Sequence, residues 1–581
     1  MANMTQENYQ RWLNSPVVSN EDKEKLKAMS SADIDDAFFQ DIEFGTAGMR
    51  GLLGPGTNRI NFYTIRKACV GFGLYLLKHF KSPQSCVISH DNRFFSREFT
   101  LECAEILNKM GINTFIFDSL RPTPELSYAV RAKKASGGIM ITASHNPKED
   151  NGFKVYDEFG CQLVPSKIKD LIDIIKTLGD ELLLEVPNSD KKGENYVLPK
   201  SLDDNYVDLC KSVQINPDLD KKDFKIVYTP NHGTSFVNAM RVFHECGYNI
   251  YPVLSQCNPD PAFSGTLSPN PEDPRSYIEP IKLAKEVDAD IIVMTDPDGD
   301  RVGLACKNRK GEYTLITGNE GAAILLDYII KERIRKDEMP KDPVVYNTVV
   351  SSSLGGEICA HYGVRCESFL TGFKYIGDRI HFYEVNGGPQ FIFGYEESYG
   401  CLIKPFVRDK DGIQAILLYC EAALWYKQHG LTLEEAYQKL GETYGQHKSK
   451  LYNIYFKGSR GHEEMQEIMK GLEANPIKEL CGNKVKIIEN YFNLTRYDLT
   501  SRESTKIENL PNGDLIKFIF EDRSSICVRP SGTEPKCKFY IEVVDKSLTK
   551  AEERCDKYYK ELTALLHINK NNWDLQGFCR I

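Results

Sequence analysis

The chain reads as an α/β protein, three tandem mixed α/β domains plus a C-terminal α+β domain around a central cleft. Three observations predict this. Its 581 residues exceed what one hydrophobic core supports, so three or four domains are expected. Strands alternate with helices in a βαβ rhythm that recurs, the pattern of a largely parallel sheet covered by helices. From residue 449 the rhythm gives way to closely spaced alternating strands flanked by helices.

The elements follow in order. The first forty or so residues are polar with helical spacing, an extension laid on the first domain. Cys86-Val87-Ile88-Ser89 is a strand, Phe99, Cys103, Ile106, Leu107 and Met110 mark one helix face, and Thr114-Phe115-Ile116-Phe117 is the next strand. A second unit opens with the strand Phe224-Lys225-Ile226-Val227-Tyr228, continues through a helix from about Ser235 to Cys246, and holds the strand Asp290-Ile291-Ile292-Val293-Met294. The third has a helix over 321–332, strands at Val344-Val345-Tyr346 and Gln390-Phe391-Ile392-Phe393, and a long helix over 413–427. The last has a helix over 463–472, strands at 514–521, 525–528 and 539–543, and a terminal helix. Charged or Pro/Asn-rich stretches at 187–204 and 445–460 read as linkers. The expected domains are therefore 1–204, 205–316, 317–448 and 449–581.

Composition narrows the function class. At 41% hydrophobic and 27% charged residues with mean hydropathy −0.40, the chain is ordinary for a globular protein. A net charge of −9 and pI near 5.8 argue against nucleic acid or an anionic membrane as partner. The opening residues lack the basic and apolar segments of a signal peptide, and no run of about 18 apolar residues occurs. Seventeen cysteines, an odd number without a Cys-x-x-Cys pair and mostly in apolar segments, fit reduced thiols in the cytoplasm. The sequon Asn493-Leu494-Thr495 is then coincidental.

Four runs carry chemistry. Thr142-Ala143-Ser144-His145-Asn146-Pro147 follows the apolar strand at 137–141. A hydroxyl held there beside an imidazole serves as nucleophile or phosphate carrier, although the run alone is equally a hydrogen-bonded turn. Asp296-Pro297-Asp298-Gly299-Asp300-Arg301 follows the strand at 290–294 and puts three carboxylates on a tight turn, a set suited to a hard divalent cation. It is no EF-hand, because the twelfth loop position is Lys307 instead of glutamate. Gly394-Tyr395-Glu396-Glu397-Ser398 offers a carboxylate and a hydroxyl two residues apart, a grip for sugar hydroxyls or a plain polar turn. Arg529-Pro530-Ser531-Gly532-Thr533-Glu534-Pro535-Lys536 combines a guanidinium fork, a Ser-Gly-Thr backbone and a second cation, a clamp for an unreactive phosphate or a surface hairpin. Shorter pieces accompany them: the glycine-rich loop 44–51 ending at Arg50-Gly51, His90-Asp91-Asn92-Arg93, Arg121-Pro122-Thr123-Pro124 and Asn151-Gly152-Phe153-Lys154. Several follow strand ends, where ligands of open α/β sheets bind.

Taken in order, these motifs resemble the α-D-phosphohexomutase superfamily over roughly residues 40 to 545. The N-terminal extension and Arg121-Pro122-Thr123-Pro124-Glu125-Leu126-Ser127 look most like its phosphoglucomutase/phosphopentomutase branch, which includes bacterial α-phosphoglucomutases and the animal phosphoglucomutase-2 type. The resemblance implies that Ser144 carries a phosphoryl group, with Asp296, Asp298 and Asp300 holding Mg²⁺ against it. It implies that Glu396 and Ser398 bind the sugar, that Thr371, Gly372 and Lys374 form a loop contacting it, and that Arg529, Ser531, Gly532 and Thr533, with Lys536 beside them, grip the distal phosphate. Lys154 and His145 would flank the reacting oxygens, with Arg50 and Arg301 nearby, and Lys410 would serve the phosphate or proton transfer. Tyr395 departs from the pattern, since relatives usually place glycine next to the glutamate, and Glu534-Pro535 alters the loop after Thr533.

A phosphoserine carries about −1.5 to −2 charge, which beside three aspartates requires a cation. The expected reaction interconverts glucose 1-phosphate and glucose 6-phosphate through glucose 1,6-bisphosphate, which also serves as activator. Lys154 is the first candidate for proton transfer and His145 the second. Ribose or mannose phosphates, or release of the bisphosphate as product, are alternatives within the class. A metal-dependent phosphatase with Asp296 as nucleophile, or a non-catalytic sugar-phosphate-binding protein, are alternatives outside it. Sugar phosphates are the expected partners, and the chain is expected to be a monomer or weak homodimer.

Overall fold

Glycine and β-branched or long apolar residues fill Gly137–Ile141, and all five are buried, as a strand covered on both faces requires. In this computed structural model, which describes residues 2–45, 48–456, 461–530 and 536–568, that strand lies within a six-stranded sheet. The order is Met49–Leu52, Asp150–Tyr156, Gly137–Ile141, Ser85–His90, Asn113–Ile116, Asn195–Val197. Ser85–His90 pairs in parallel with both neighbours, while Asp150–Tyr156 runs antiparallel to Gly137–Ile141. Helices Phe62–His79, Ser96–Lys109 and Thr123–Lys133 cover it. The stretch containing Asn151 and Lys154 is thus a strand, with Lys154 opposite Met140.

A second, five-stranded sheet has the order Tyr313–Ile316, Val302–Lys307, Ile291–Thr295, Lys225–Thr229, Asn249–Pro252. Its central pair is parallel, and Ile291–Thr295 turns back antiparallel through the acidic loop into Val302–Lys307. Gly299 is needed in that loop. Its φ of +74° falls in the left-handed region, and a Cβ there would sit 2.8 Å from Pro122 Cβ. Gln390–Glu396 pairs antiparallel with Gly400–Leu402, and helix Gly412–Gln428 follows, capped by Asp411, which accepts from the Ile413 and Gln414 amides. These segments belong to one compact unit, residues 1–318, 337–344 and 372–429.

The second compact unit comprises 319–336, 345–371 and 430–581. Its main sheet is antiparallel, running Gln446–Tyr455, Lys536–Asp545, Ser525–Pro530, Ile516–Phe520, Asn483–Asn490, Thr495–Asp498, Glu503–Lys506. Helices Gly461–Ala474 and Leu548–Leu565 cover it over a core that includes Phe518, Phe539, Ile541 and Leu562. Much of the stretch expected to be a linker at 445–460 is here the edge strand. Its lysines form ion pairs within the unit, Lys448 with Glu320 at 2.9 Å and Lys450 with Asp556 at 2.9 Å, so its charge belongs to a packed strand instead of a tether. Likewise the 187–204 stretch contributes the strand Asn195–Val197 and the start of helix Lys200–Lys211. No helix among the described residues is long and apolar enough to cross a membrane.

Candidate active site

Ser144 stands just past the end of its strand, 2% exposed, with a φ of +54° that non-glycine residues seldom adopt. Its amide donates to Thr142 Oγ1 at 2.8 Å, and its hydroxyl donates to Asp296 Oδ2 at 2.8 Å. His145 Nδ1 lies 3.1 Å from the same Oγ. Loss of water, together with the guanidiniums of Arg301 and Arg50, pushes the His145 imidazolium well below its ordinary range, so the ring is neutral at neutral pH. Arg50 is exposed and donates to Asn146 Oδ1 at 3.1 Å, bracing the serine loop from outside.

The acidic hairpin meets this loop. Asp296, Asp298 and Asp300 are all buried, and one carboxylate oxygen from each lies within 4.8 Å of the others. Burial and the two neighbouring carboxylates raise the Asp296 carboxyl well above the usual range. Asp298 goes the other way. Burial works against its charge, but Lys154, whose Nζ donates to Asp298 Oδ2 at 2.8 Å, outweighs it. Thr123 adds a hydroxyl bond at 3.0 Å to the same oxygen. Lys154 Nζ is also 3.8 Å from Asp300 Oδ2.

This cluster fits a hard divalent cation. Asp298 Oδ1 and Asp300 Oδ1 are buried without a hydrogen bond, a costly arrangement for carboxylate oxygens unless a cation takes them up. The donors are all carboxylate oxygen, with no imidazole or thiolate among them.

From Asp300 the contacts lead on to Lys410, 3.2 Å away and held at 2.9 Å by Asp409, which also accepts from the Tyr156 hydroxyl at 3.0 Å. Burial disfavours the Lys410 ammonium, yet Asp300, Asp409 and Glu396 together keep it protonated well above its normal range. Lys410 Nζ reaches Glu396 Oε2 at 4.0 Å, and Glu396 Oε1 accepts the Gly372 amide at 2.9 Å. Arg301 pairs with Glu272 at 2.8 Å. Lys374 is buried, and its ammonium lies 5.4 Å from the Tyr375 ring centroid. Ser398 is half-buried on the turn after Glu396.

Contacts within the first unit thus join Ser144, His145, Lys154, the three aspartates, Lys410, Glu396 and Gly372 into one continuous network. Arg50, through the serine loop, and Arg301, next to Asp300 in the acidic loop, adjoin it. Thr371, Arg529 and Lys536 belong to the second unit. There Arg529 lies near the end of Ser525–Pro530, and Lys536 begins the next strand, its ammonium 5.5 Å from the Tyr455 ring centroid. Ser531, Gly532 and Thr533 lie outside the described residues. Side chains that the sequence reading did not assign also touch this network, among them Thr123, Asp409, Tyr156, Glu272 and Arg93. Only a place beside charged residues in short polar runs marked Thr123, Asp409 and Arg93.

Comparison with known proteins agrees with this geometry. Four family profiles, described as phosphoglucomutase/phosphomannomutase α/β/α domains I, II and III and the C-terminal domain, match residues 41–181, 204–311, 317–444 and 485–554. Phosphoglucomutases of two Staphylococcus aureus strains, RF122 / ET3-1 and MSSA476, are 37% identical over 512 residues, covering 87% of this chain and 90% of theirs. In fold, the chain is similar to pp63/parafusin, a phosphoglucomutase from Paramecium in its open form (TM-score 0.67, 18% identity, 91% of this chain and 96% of that one). It is also similar to a putative phosphomannomutase from Thermus thermophilus (TM-score 0.66, 21% identity, 91% and 99%). A multidomain α/β chain with a buried serine against an aspartate triplet, matched along four successive domains, belongs to the phosphoglucomutase/phosphomannomutase family of the α-D-phosphohexomutase superfamily and is a phosphotransferase mutase of its phosphoglucomutase branch.

Proposed function

We propose that the protein interconverts glucose 1-phosphate and glucose 6-phosphate, with Ser144 carrying the phosphoryl group and glucose 1,6-bisphosphate as intermediate and activator. The observation that carries this reading is the Ser144 Oγ–Asp296 Oδ2 contact at 2.8 Å, a buried hydroxyl placed at the edge of a cation-binding carboxylate triplet. The names of the staphylococcal relatives support glucose as the sugar.

In the forward step the phosphoserine P–O bond breaks as a P–O bond forms to the free hydroxyl of the sugar monophosphate; that hydroxyl loses its proton, and the freed Ser144 oxygen takes one up to become the hydroxyl again. His145, beside Ser144 Oγ, and Lys154, whose Nζ donates to Asp298 Oδ2, are the groups placed to move these protons. Arg50 and Lys410 add positive charge near the transferred group, where positioning and electrostatics supply most of the rate. Asp296, Asp298 and Asp300 would hold Mg²⁺, which when bound supplies charge to the phosphoryl oxygens. Glu396, with Oε1 taken by the Gly372 amide and Oε2 4.0 Å from Lys410, would bind a sugar hydroxyl through Oε2, and Ser398, Thr371, Lys374 and Arg301 would serve the sugar as well. Arg529, Ser531, Gly532, Thr533 and Lys536 would hold the phosphate that does not react. The bisphosphate then turns over, and its other phosphate returns to Ser144.

We further place the enzyme in the cytoplasm, as a monomer or weak homodimer acting on small sugar phosphates, with neither nucleic acid nor membrane as partner. Its acidity supports the reading on nucleic acid and membrane, and its many buried free thiols support the cytoplasm. A coupled assay on glucose, mannose and ribose 1-phosphates, with and without glucose 1,6-bisphosphate, tests the reading. Glucose 1-phosphate should turn over fastest, and Ser144→Ala should abolish turnover. Preference for another sugar, or net release of bisphosphate or inorganic phosphate, would replace it.

A further inference from the structure

The run His90-Asp91-Asn92-Arg93 contributes no group to the steps above, yet its arginine is 3% exposed and fully engaged. Nη1 donates to the carbonyls of Pro147 at 2.6 Å and Asp150 at 3.0 Å. Nη2 donates to those of Ser144 at 2.7 Å and Asn146 at 2.6 Å, and Nε donates to Asp91 Oδ2 at 3.1 Å. A guanidinium has five N–H donors in a rigid planar fork, so none is left over. Four of the five acceptors are carbonyls of the segment that carries Ser144.

Asp91 closes the arrangement. Its Oδ1 accepts from the Arg93 amide at 3.0 Å and the Ser96 hydroxyl at 2.8 Å, and its Oδ2 accepts from Thr142 Oγ1 at 2.6 Å. Thr142 Oγ1 in turn accepts the Ser144 amide. The N–H and the C=O of Ser144 are therefore both tied to one aspartate–arginine pair. A left-handed serine is strained and persists only where its surroundings over-determine it. Here they do.

We propose that Arg93, braced by Asp91, is the positioning residue of the phosphoryl carrier: it touches neither substrate nor reacting oxygen, and fixes the Ser144 backbone so that Oγ meets Asp296. The proposal rests on the reading of Ser144 as carrier. Lysine cannot replace Arg93, since an ammonium has three donors on one atom and cannot span four carbonyls and a carboxylate.

The test follows one step. A phosphoryl group passes from glucose 1,6-bisphosphate to Ser144, the sugar P–O bond breaking, the serine P–O bond forming and the serine proton ending on the sugar oxygen. Mixed with the bisphosphate and Mg²⁺, the wild type should gain one phosphate by intact mass, and Ser144→Ala none. Arg93→Lys should gain it about 100-fold more slowly per folded molecule, with the bisphosphate concentration for half-maximal rate changed less than about threefold, as a misplaced nucleophile requires. In Arg93→Ala, added guanidinium ion should restore part of the rate.

A wild-type rate in folded Arg93→Lys would overturn the clamp alone, leaving Arg93 a packing residue. No phosphate on the wild type would overturn the carrier reading and the clamp with it. If Arg93→Lys does not fold, Thr142→Val, which cuts the link between Asp91 and the Ser144 amide, should show slowed phosphorylation. An unchanged rate there would overturn the clamp.

Discussion

Ser144 Oγ donates to Asp296 Oδ2 at 2.8 Å, so a hydrogen bond joins the loop leaving one sheet to the acidic hairpin of the next. Hydroxyl and carboxylate are both buried, and Asp296 is the member of the triplet whose carboxyl burial and its neighbours raise most. The triplet is a strained arrangement in the absence of a cation, which leads to a first prediction.

Replacing Asp300 by Asn should stabilise the cation-free protein by about 1 kcal/mol, because burial and Asp298 disfavour its charge more than Lys410 and Lys154 favour it, and the neutral amide removes that cost. The same change should abolish the rise in melting temperature that Mg²⁺ gives the wild type, and cut turnover by more than about 100-fold, the scale of losing an electrostatic element of phosphoryl transfer. Melting curves in EDTA and in Mg²⁺ check both signs. A variant less stable than wild type in EDTA would show that the triplet is not under repulsive strain.

Thr123→Val should weaken divalent-cation binding about tenfold without touching the cation, since Thr123 Oγ1 donates to Asp298 Oδ2 at 3.0 Å and orients that carboxylate. Titration with Mn²⁺ followed by electron paramagnetic resonance measures this directly. Equal dissociation constants for variant and wild type would leave Thr123 a packing residue.

Glu396→Gln should raise KM more than it lowers kcat. The Gly372 amide bond to Oε1 can survive in the amide, but the charge facing Lys410 and the sugar cannot. A charge-assisted hydrogen bond contributes about 1.5–3 kcal/mol, so kcat/KM should fall by about 10- to 100-fold. Steady-state kinetics on glucose 1-phosphate decide it; a fall confined to kcat would move Glu396 from sugar binding to the chemical step.

The legible parts of this site are those whose chemistry is written locally. Asp296, Asp298 and Asp300 sit at alternate positions of one turn, and Ser144 follows a buried strand, so a short window reveals both. Their meeting was foreseeable only through the family resemblance, because nothing in either window encodes a contact between residues so far apart in the chain. Arg93 shows a second limit. Four of its partners are backbone carbonyls, which leave no mark on the side chains opposite. The strand Gln446–Tyr455 shows a third. It stands last in its sheet among the described residues and carries lysines like a linker, and its antiparallel register with Lys536–Asp545 distinguishes it from one.

A last prediction concerns stability in the second unit. His447 on the edge strand is 1% exposed, with Nδ1 3.0 Å from Glu542 Oε1 and Nε2 3.6 Å from Glu357 Oε2, which Arg523 also reaches at 2.7 Å. Burial opposes the imidazolium, but Glu357 and Glu542 outweigh it and push His447 up to about 9. Glu542, also bonded by Ser352 and the Ser353 amide, is held down at about 2 by His447 despite its own burial. A group raised on folding contributes stability that is complete below its unfolded value, near 6.5, and is lost as pH rises through about 9. A depressed carboxylate contributes stability that is present above 4.5 and lost as pH falls through about 2. Both describe the same ion pair, so they are not added. The raised histidine alone corresponds to about 3 kcal/mol. The melting temperature should therefore fall between pH 6.5 and 9, and His447→Gln, which keeps a hydrogen-bond donor without the charge, should start lower and lose less across that interval. Parallel melting curves for wild type and variant over the interval would assign the alkaline loss to other groups.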